Sequence, residues 1–347
     1  MYTCKRCVFL SVLILIQGGC ESLSFYQQAI FGQLEVLNAR IPVEKILADP
    51  DTNAALRKQL QLARQIILFA EGEIGLPVMD RYRSYVALDR PYVVWNVFAA
   101  QTHSLKAYMW CYPVVGCAPY RGYFDQAHAR AYAQKLRQNG LETYVTGVAA
   151  YSTLGWFDDP LLSTFLHWPE PDLAGLLLHE LAHGIVWIEG DTSFNESFAS
   201  FVAEEGMRQY FGSSSDPLKT WQSQRDGWNQ MKAHLLQLKS ALESAYLSDD
   251  PAHEKSIVFA SFQQRYLRDR ATLGDGRYDR LVNEELNNAY LISLGVYEDL
   301  VPAFKCLFGK YGHWQRFFTA VTDLIELEKD NRDERLQSCK VDQPNNM

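Results

Sequence analysis

Two histidines and a glutamate near the middle of the chain form the pattern H-E-x-x-H, as His179, Glu180 and His183. Residues four apart on an α-helix lie one turn apart on the same face, so the two imidazoles can bind one metal ion. Zn²⁺ is the metal that this pattern binds in metallopeptidases. The pattern therefore predicts one zinc ion per chain, with His179 and His183 as ligands. Glu180 is the predicted catalytic residue, which accepts a proton from the water that zinc activates.

The motif lies in a nearly all-apolar segment, and such a segment predicts a buried helix. Its apolar residues are Leu173, Leu176, Leu177, Leu178, Leu181, Ile185 and Val186. Buried imidazole and carboxyl groups are costly without a partner, and a metal ion is a sufficient one. We expect Asp172 to cap the start of this helix, directly after Pro171.

A catalytic zinc site needs a third protein ligand and one position left open for water. Glu189 would be favoured if a glycine turned the chain three residues after His183, but Val186 stands there, so we expect the helix to continue. Asp191 is expected to cap a helix or to lie in a turn, and not to bind the metal. We favour Glu196, on a second helix that folds back. The alternative is that Glu196 forms a capping box with Ser193.

The first twenty residues resemble a bacterial lipoprotein signal. Two basic residues precede an apolar stretch at 8–16, which is too short to cross a bilayer. We expect cleavage after residues 1–19 and lipid on Cys20, which would anchor the chain in the cell envelope, facing the periplasm. Glu21 mildly favours the outer membrane. The alternatives are an uncleaved anchor and an ordinary signal peptide.

The remaining cysteines fit an oxidising compartment. Of seven cysteines, two would leave with the signal and Cys20 would carry lipid. The other four allow a local pair, Cys111–Cys117, and a second pair, Cys306–Cys339, unless all four are free thiols. Removal of the signal also changes the formal net charge from −8 to −10, because Lys5 and Arg6 are lost with it. This acidic balance argues against a nucleic-acid partner.

Apolar periodicity indicates an α+β protein that is mostly helical. Helices are expected at 25–47, 51–75, 125–140, 216–248, 252–272, 277–308 and 312–329. Strands are expected at 91–100, within 107–124, and at 141–153. We expect one domain over residues 20–347, which comprises a β-containing part (20–170), a helical zinc-binding part (171–330) and a loose polar tail (331–347). Residues 147–153 are the candidate strand for pairing with an extended peptide.

Five segments resemble a bacterial family of inferred zinc aminopeptidases that carry a lipoprotein signal. The segments are WNVFAA (95–100), WCYPVVGCAPYRGYF (110–124), AYSTLGWFDDP (150–160), HELAHGIVW (179–187) and NESFASFVAEEG (195–206). The resemblance implies a zincin-like fold with a small β-sheet beside the H-E-x-x-H helix. It also implies a gluzincin-type site, with His179, His183 and Glu196 as zinc ligands and Glu180 catalytic. The expected activity is hydrolysis of peptide or protein substrates from the amino terminus.

Two other functions remain open on these residues. One is an envelope endopeptidase with the same zinc site. The other is a noncatalytic lipoprotein that binds zinc or partner proteins. Glu180 argues against the second, because a purely structural zinc site does not need that acid and usually has four protein ligands, with cysteine preferred.

Overall fold

The computed structural model describes residues 24–112, 116–150, 158–294 and 300–341, and within them the chain is mostly helical. The helices are α1 (24–38), α2 (Val43–Ala48), α3 (Ala54–Phe69), α4 (Gln126–Gln138), α5 (Ser163–Leu166), α6 (Glu170–Ala182), α7 (Thr192–Phe211), α8 (Asp216–Ala245), α9 (Pro251–Asp269), α10 (Asn288–Ser293), α11 (Val301–Tyr311), α12 (Trp314–Ile325) and α13 (Lys329–Val341). The strands are β1 (Ile41–Pro42), β2 (Ser84–Val86), β3 (Val94–Gln101), β4 (Trp110–Tyr112), β5 (Gly116–Ala118), β6 (Arg121–Tyr123), β7 (Leu141–Val148) and β8 (Leu161–Leu162). The predicted α+β class is confirmed, whereas the zincin-like fold and the single domain stay predictions.

The strands form three small sheets. β3 is the centre of an antiparallel sheet in the order β6-β3-β7, and its pairing with β7 runs from Val94↔Val148 to Gln101↔Leu141. A second sheet, in the order β1-β2-β8, contains one parallel pair. β4 and β5 form a hairpin that the disulfide Cys111–Cys117 closes. The second sheet shares its hydrophobic core with α6, whereas β3 and β6 pack with α4 in a separate core.

The main core surrounds α6 and α7. Leu173, Leu177, Leu178 and Leu181 of α6 are fully buried there, as the apolar segment predicts. On α7, Phe198 packs against aromatic rings of α11 and α12. A further core joins α8, α9 and α10. Both helices of the predicted site are therefore held by packing over most of their length.

Several element boundaries differ from those expected. The helix expected at 25–47 is split, because the short strand β1 includes Pro42, which has no N–H for a continuous helix. The segment 277–308 is split likewise into a π-helical turn (Leu281–Glu285), α10 and α11. The candidate peptide-pairing strand ends at Val148, at an edge of its sheet. Residues 151–157, the signal peptide and Cys20 lie outside the described residues.

The C-terminal segment is not loose, so the expectation for 331–347 is wrong for its described part. Residues Lys329–Val341 form α13, and Arg332 is only 4% exposed. The guanidinium of Arg332 donates to Asp191, and Lys329 Nζ lies 2.9 Å from the same carboxylate. The disulfide Cys306–Cys339 also joins α13 to α11, so both predicted disulfides are present. Ion pairing and a disulfide thus order a segment whose polar composition suggested mobility.

Among the described residues, no helix is both long enough and apolar enough to span a bilayer. An anchor at the amino terminus would lie before residue 24, outside this part of the chain.

Asp191 should contribute stability that acid removes. Burial alone would raise its pKa, but hydrogen bonds from Lys329 and Arg332 lower the pKa below its usual value. A carboxyl group with a lowered pKa in the folded state stabilises the fold above its unfolded pKa of about 3.9 and loses that contribution as pH falls further. Asp191→Asn keeps a good helix cap but leaves a buried cation unpaired, so it should cost about 3 kcal/mol near pH 7.

The measurement is the free energy of unfolding in urea between pH 7 and pH 3, with a chelator present. The difference between wild type and Asp191→Asn should shrink below about pH 4. Glu334→Gln is the control, because Glu334 is exposed on α13, the helix of Arg332. This variant should follow the wild-type curve. A difference for Asp191→Asn that stays constant over the whole pH range would contradict the assignment.

Candidate metal centre

Helix α6 carries the H-E-x-x-H residues and begins earlier than expected. Pro169 is its N-cap residue, and no side chain accepts a capping hydrogen bond there, so the expectation that Asp172 caps the helix is wrong. Asp172 lies in the first turn, where a carboxylate interacts favourably with the helix dipole. The apolar residues that follow fix the rotation of the helix in the main core, and this rotation places His179 and His183 on its less buried side.

Helix α6 also ends earlier than expected. His183 is its C-cap residue, so the helix does not continue through Val186 as the sequence predicted. Gly184 follows, and a Cβ atom there would lie 2.9 Å from Pro77 Cγ and closer still to the guanidinium of Arg81. The glycine therefore lets a distant segment pack against the end of the helix. The chain can leave α6 directly after its second histidine.

Helix α7 brings back the third predicted ligand. Asp191 is its N-cap and accepts a hydrogen bond from Phe194 N, at 3.3 Å, so the capping role expected for Asp191 is confirmed. Ser193 consequently lies inside the helix, which rules out the capping box as the role of Glu196. Asn195 is 1% exposed and clamps the connection to α6: its amide donates to Ile188 O and accepts from Ile188 N. This clamp turns α7 back along α6.

The side chains of His179, His183 and Glu196 converge between the two helices. Each offers one ligand atom, and these atoms all lie within 4.8 Å of one another. His179 Nε2 is 3.2 Å from Glu196 Oε2, and His183 Nε2 is 3.7 Å from Glu196 Oε1. Glu189, the rival third ligand, is exposed and lies outside this cluster. The structure thus brings together the three residues that the sequence selected.

Two members of the cluster, His183 and Glu196, are held in protonation states that suit metal binding. Burial, and then the nearby His179, lower the pKa of His183 to about 4, so its imidazole is neutral at pH 7. Burial alone would raise the pKa of Glu196, but the hydrogen bond with His179 lowers it. Zinc binds neutral imidazole and ionised carboxylate. In addition, the buried His183 Nδ1 has no hydrogen-bond partner among the described residues. The donor set therefore fits a Zn²⁺ ion.

Glu180 lies beside the cluster and interacts both with its members and with further charged groups. Burial raises the pKa of its carboxyl; His179 acts in the opposite direction, and Glu196 and Asp159 raise the pKa further. Tyr82 interacts electrostatically with both Glu180 and Asp159, and burial raises its pKa well above the usual value. Asp159 is only 4% exposed. The predicted catalytic carboxyl is thus only partly buried and interacts with the polar groups of Tyr82 and Asp159.

Arg81 braces the end of the motif helix. Its Nη1 donates to the backbone carbonyl of Glu180 at 3.4 Å, and its Nη2 donates to Pro77 O. The segment that presents it contains two non-glycine residues with positive φ, Met79 at 51° and Tyr82 at 63°. Such backbone angles are uncommon for these residue types. Arg81 and Tyr82 were missed from the sequence, since no motif marks them and they precede Glu180 by about a hundred residues.

Loss of the Arg81 side chain should weaken the metal site. Arg81→Met removes the donor to the Glu180 carbonyl, so the end of α6 should be less well fixed. We expect the affinity of the metal-free protein for Zn²⁺, measured by competition with a chromogenic chelator, to fall about tenfold or more. Arg83→Met is the matched control, because the Arg83 side chain is 71% exposed and pairs with exposed Asp80. Equal zinc affinities for the two variants would contradict the bracing role.

Comparison with known proteins gives a family. No curated protein and no solved structure matches the chain significantly. A family model described as putative aminopeptidase matches residues 24–336, which includes both helices of the cluster and nearly all of the described chain. The protein therefore belongs to the putative aminopeptidase family, a family of peptidases.

Proposed function

We propose that the protein is a zinc-dependent peptidase in which His179, His183 and Glu196 hold the metal. The observation that carries the proposal is the convergence of their ligand atoms within 4.8 Å, in a chain that belongs to a peptidase family. Two imidazoles and a carboxylate are a common donor set of catalytic zinc sites, and they leave one position open. A structural zinc site would more often use thiolates, but the described cysteines are paired as disulfides.

The mechanism assigns separate roles to the residues around the cluster. Bound Zn²⁺ would polarise the scissile carbonyl and lower the pKa of water in the site. Glu180 accepts a proton from the attacking water and donates it to the leaving amine. In the metal-free protein, burial raises the pKa of this carboxyl above its usual value. Tyr82 remains protonated at neutral pH and provides a hydroxyl donor near this carboxylate.

We propose release of amino-terminal residues as the activity, because the family description names an aminopeptidase. An aminopeptidase must bind the free ammonium group of its substrate, whereas an endopeptidase with the same zinc chemistry need not. Cleavage of matched peptides with free and acetylated amino termini separates the two activities. Loss of cleavage when the amino terminus is acetylated supports an aminopeptidase. Equal cleavage of the free and the acetylated peptides would contradict it and indicate an endopeptidase.

Substitution of Glu180 should separate metal binding from catalysis. Glu180→Gln keeps the size of the side chain but cannot accept the proton, so we expect about one zinc ion per chain, as in wild type, and a loss of kcat of at least about a hundredfold. Zinc is measured by elemental analysis, and kcat with a peptide library followed by single substrates. Wild-type protein that lacks zinc, after preparation without any chelator, would overturn the proposal.

Two glutamates provide matched variants for the third ligand. Glu196→Ala should lose most of its zinc, whereas Glu189→Ala, at an exposed position seven residues earlier, should retain it. The reverse result would reassign the ligand. Circular dichroism spectra of the two variants check that loss of metal does not simply reflect unfolding.

We also propose that lipid on Cys20 holds the protein at the bacterial cell envelope, facing the periplasm. The two disulfides support an oxidising compartment. Full-length wild-type protein should fractionate with the membranes, preferentially the outer membrane, and carry a lipid mass at Cys20. Cys20→Ser should lose both properties, whereas Cys7→Ser, within the signal, should keep them. A soluble wild-type protein without lipid would exclude this anchor.

A further inference from the structure

A cavity beside the candidate metal centre adjoins a second cavity that lies along α8. The first, of about 510 Å³, is lined by His179 and by residues of α6, α7 and α8. The second, of about 600 Å³, continues along α8 as far as Val301. Trp221 and Arg225 line both cavities, so the two meet at these side chains. We call this surface the α8 groove.

The wall of the α8 groove is a continuation of the helix faces that carry the predicted ligands. On α6, Asp172, Leu176 and His179 are spaced by four and three residues, so they lie in a row on one face. Asp172 and Leu176 line the groove together with His179. On α7, Ala203 is seven residues, or about two turns, after Glu196 and lies on the same face. The groove therefore leads directly to the metal cluster.

A glycine inside α6 shapes this wall. Glycine destabilises a helix interior relative to alanine, so its presence there needs a reason. A Cβ atom on Gly175 would lie 3.3 Å from Cζ2 of the Trp221 indole. Gly175 therefore allows the indole to lie close against the α6 backbone. This close approach indicates that the position of Trp221 is a specific feature of the groove.

The part of the groove nearest to the metal cluster is mainly apolar. Trp168, Leu176 and Trp221 are only partly buried there, and the small side chain of Ala203 leaves room between them. At the junction of the two cavities, the Arg225 guanidinium lies 5.3 Å from the Trp221 ring and 2.8 Å from a Glu204 carboxylate oxygen. Beyond this junction, the lining includes the polar side chains of Gln222, Asp226, Asn229 and Lys232. An apolar pocket is thus followed by a polar channel.

The length of the α8 groove corresponds to several peptide residues. The lining residues of α8 extend from Trp221 to Leu236, a rise of about 22 Å along the helix. An extended peptide advances about 3.3 Å per residue, so the groove spans about six to seven residues. The polar side chains of the channel can bond the backbone groups of an extended chain.

We propose that the α8 groove binds one side of a peptide substrate in an extended conformation. The residue next to the scissile bond places a large apolar side chain between Trp168 and Trp221, and the residues beyond it follow α8 past Arg225. The substrates are then peptides of about six residues or longer with a large apolar residue at the cleavage site. This inference rests on the proposed peptide hydrolysis.

The test is the dependence of kcat/KM on peptide length and on the side chain at the cleavage site. Wild-type protein with zinc is given peptides of two to eight residues that carry either phenylalanine or alanine there. We expect kcat/KM to rise at least tenfold between two and six residues and to favour phenylalanine at least tenfold. Trp221→Ala should abolish the preference for phenylalanine, because it removes one wall of the apolar pocket.

Two lysines of α8 provide a matched pair of variants that test the role of the polar channel. Lys232→Ala should reduce the gain from longer peptides, whereas Lys239→Ala, about two turns further along the helix and not part of the lining, should not. Circular dichroism confirms that each variant is folded. Two results would contradict peptide binding in the α8 groove while leaving peptide hydrolysis intact. One is cleavage that does not depend on peptide length. The other is an equal loss of kcat/KM on the phenylalanine and the alanine peptides in Trp221→Ala.

Peptide binding tests the groove even if hydrolysis fails. If wild-type protein with zinc cleaves no peptide, the proposed function is wrong, and binding of the same peptides to Glu180→Gln is then measured by tryptophan fluorescence. Affinity that rises with length and falls in the Glu180→Gln, Trp221→Ala double variant would support the α8 groove as a peptide site. Affinity independent of length and of Trp221 would overturn it.

Discussion

The structure depends on one constraint: three candidate metal ligands must meet within 4.8 Å although two of them lie on one helix and the third on another. The side-chain spacing on α6 brings the two histidines together without further help. Glu196 arrives only if α7 reverses direction directly after α6. The early end of α6 at His183 and the clamp between Asn195 and the backbone of Ile188 supply that reversal. The surrounding core then fixes both helices in rotation.

Distant parts of the chain stabilise this reversal from two sides. Arg81 packs at the end of α6, where Gly184 leaves space for its guanidinium. Asp191 at the start of α7 pairs with Arg332 of α13, which the disulfide Cys306–Cys339 ties to α11. Because the connection between α6 and α7 is held at both ends, its geometry depends on residues about a hundred positions or more before and after it in the chain. The helices that carry the ligands therefore form a site only within the larger fold.

The sequence predicts the parts of this site that depend on local spacing. His179, Glu180 and His183 follow from a five-residue pattern, and Glu196 follows from the chemistry of zinc sites together with a second apolar helix. The sequence does not predict interactions between residues that are far apart in the chain. Arg81 acts on Glu180 across about a hundred residues, and Arg332 pairs with Asp191 across 141 positions. No local pattern marks such pairs, and the polar α13 was for this reason expected to be loose.

The amino-acid composition of helix α8 does not reveal that this helix lines the groove beside the candidate metal centre. The composition of α8 is largely polar, but Leu235, Leu238 and Leu242 are fully buried against α9 and α10. The other face, from Trp221 to Leu236, lines the groove that begins at His179. A helix whose apolar face is already covered can expose polar groups and one indole to a ligand without loss of stability. The same helical period that aligns the two histidines on α6 thus also aligns Leu176 and Asp172 with α8, so the metal cluster and the groove share one surface.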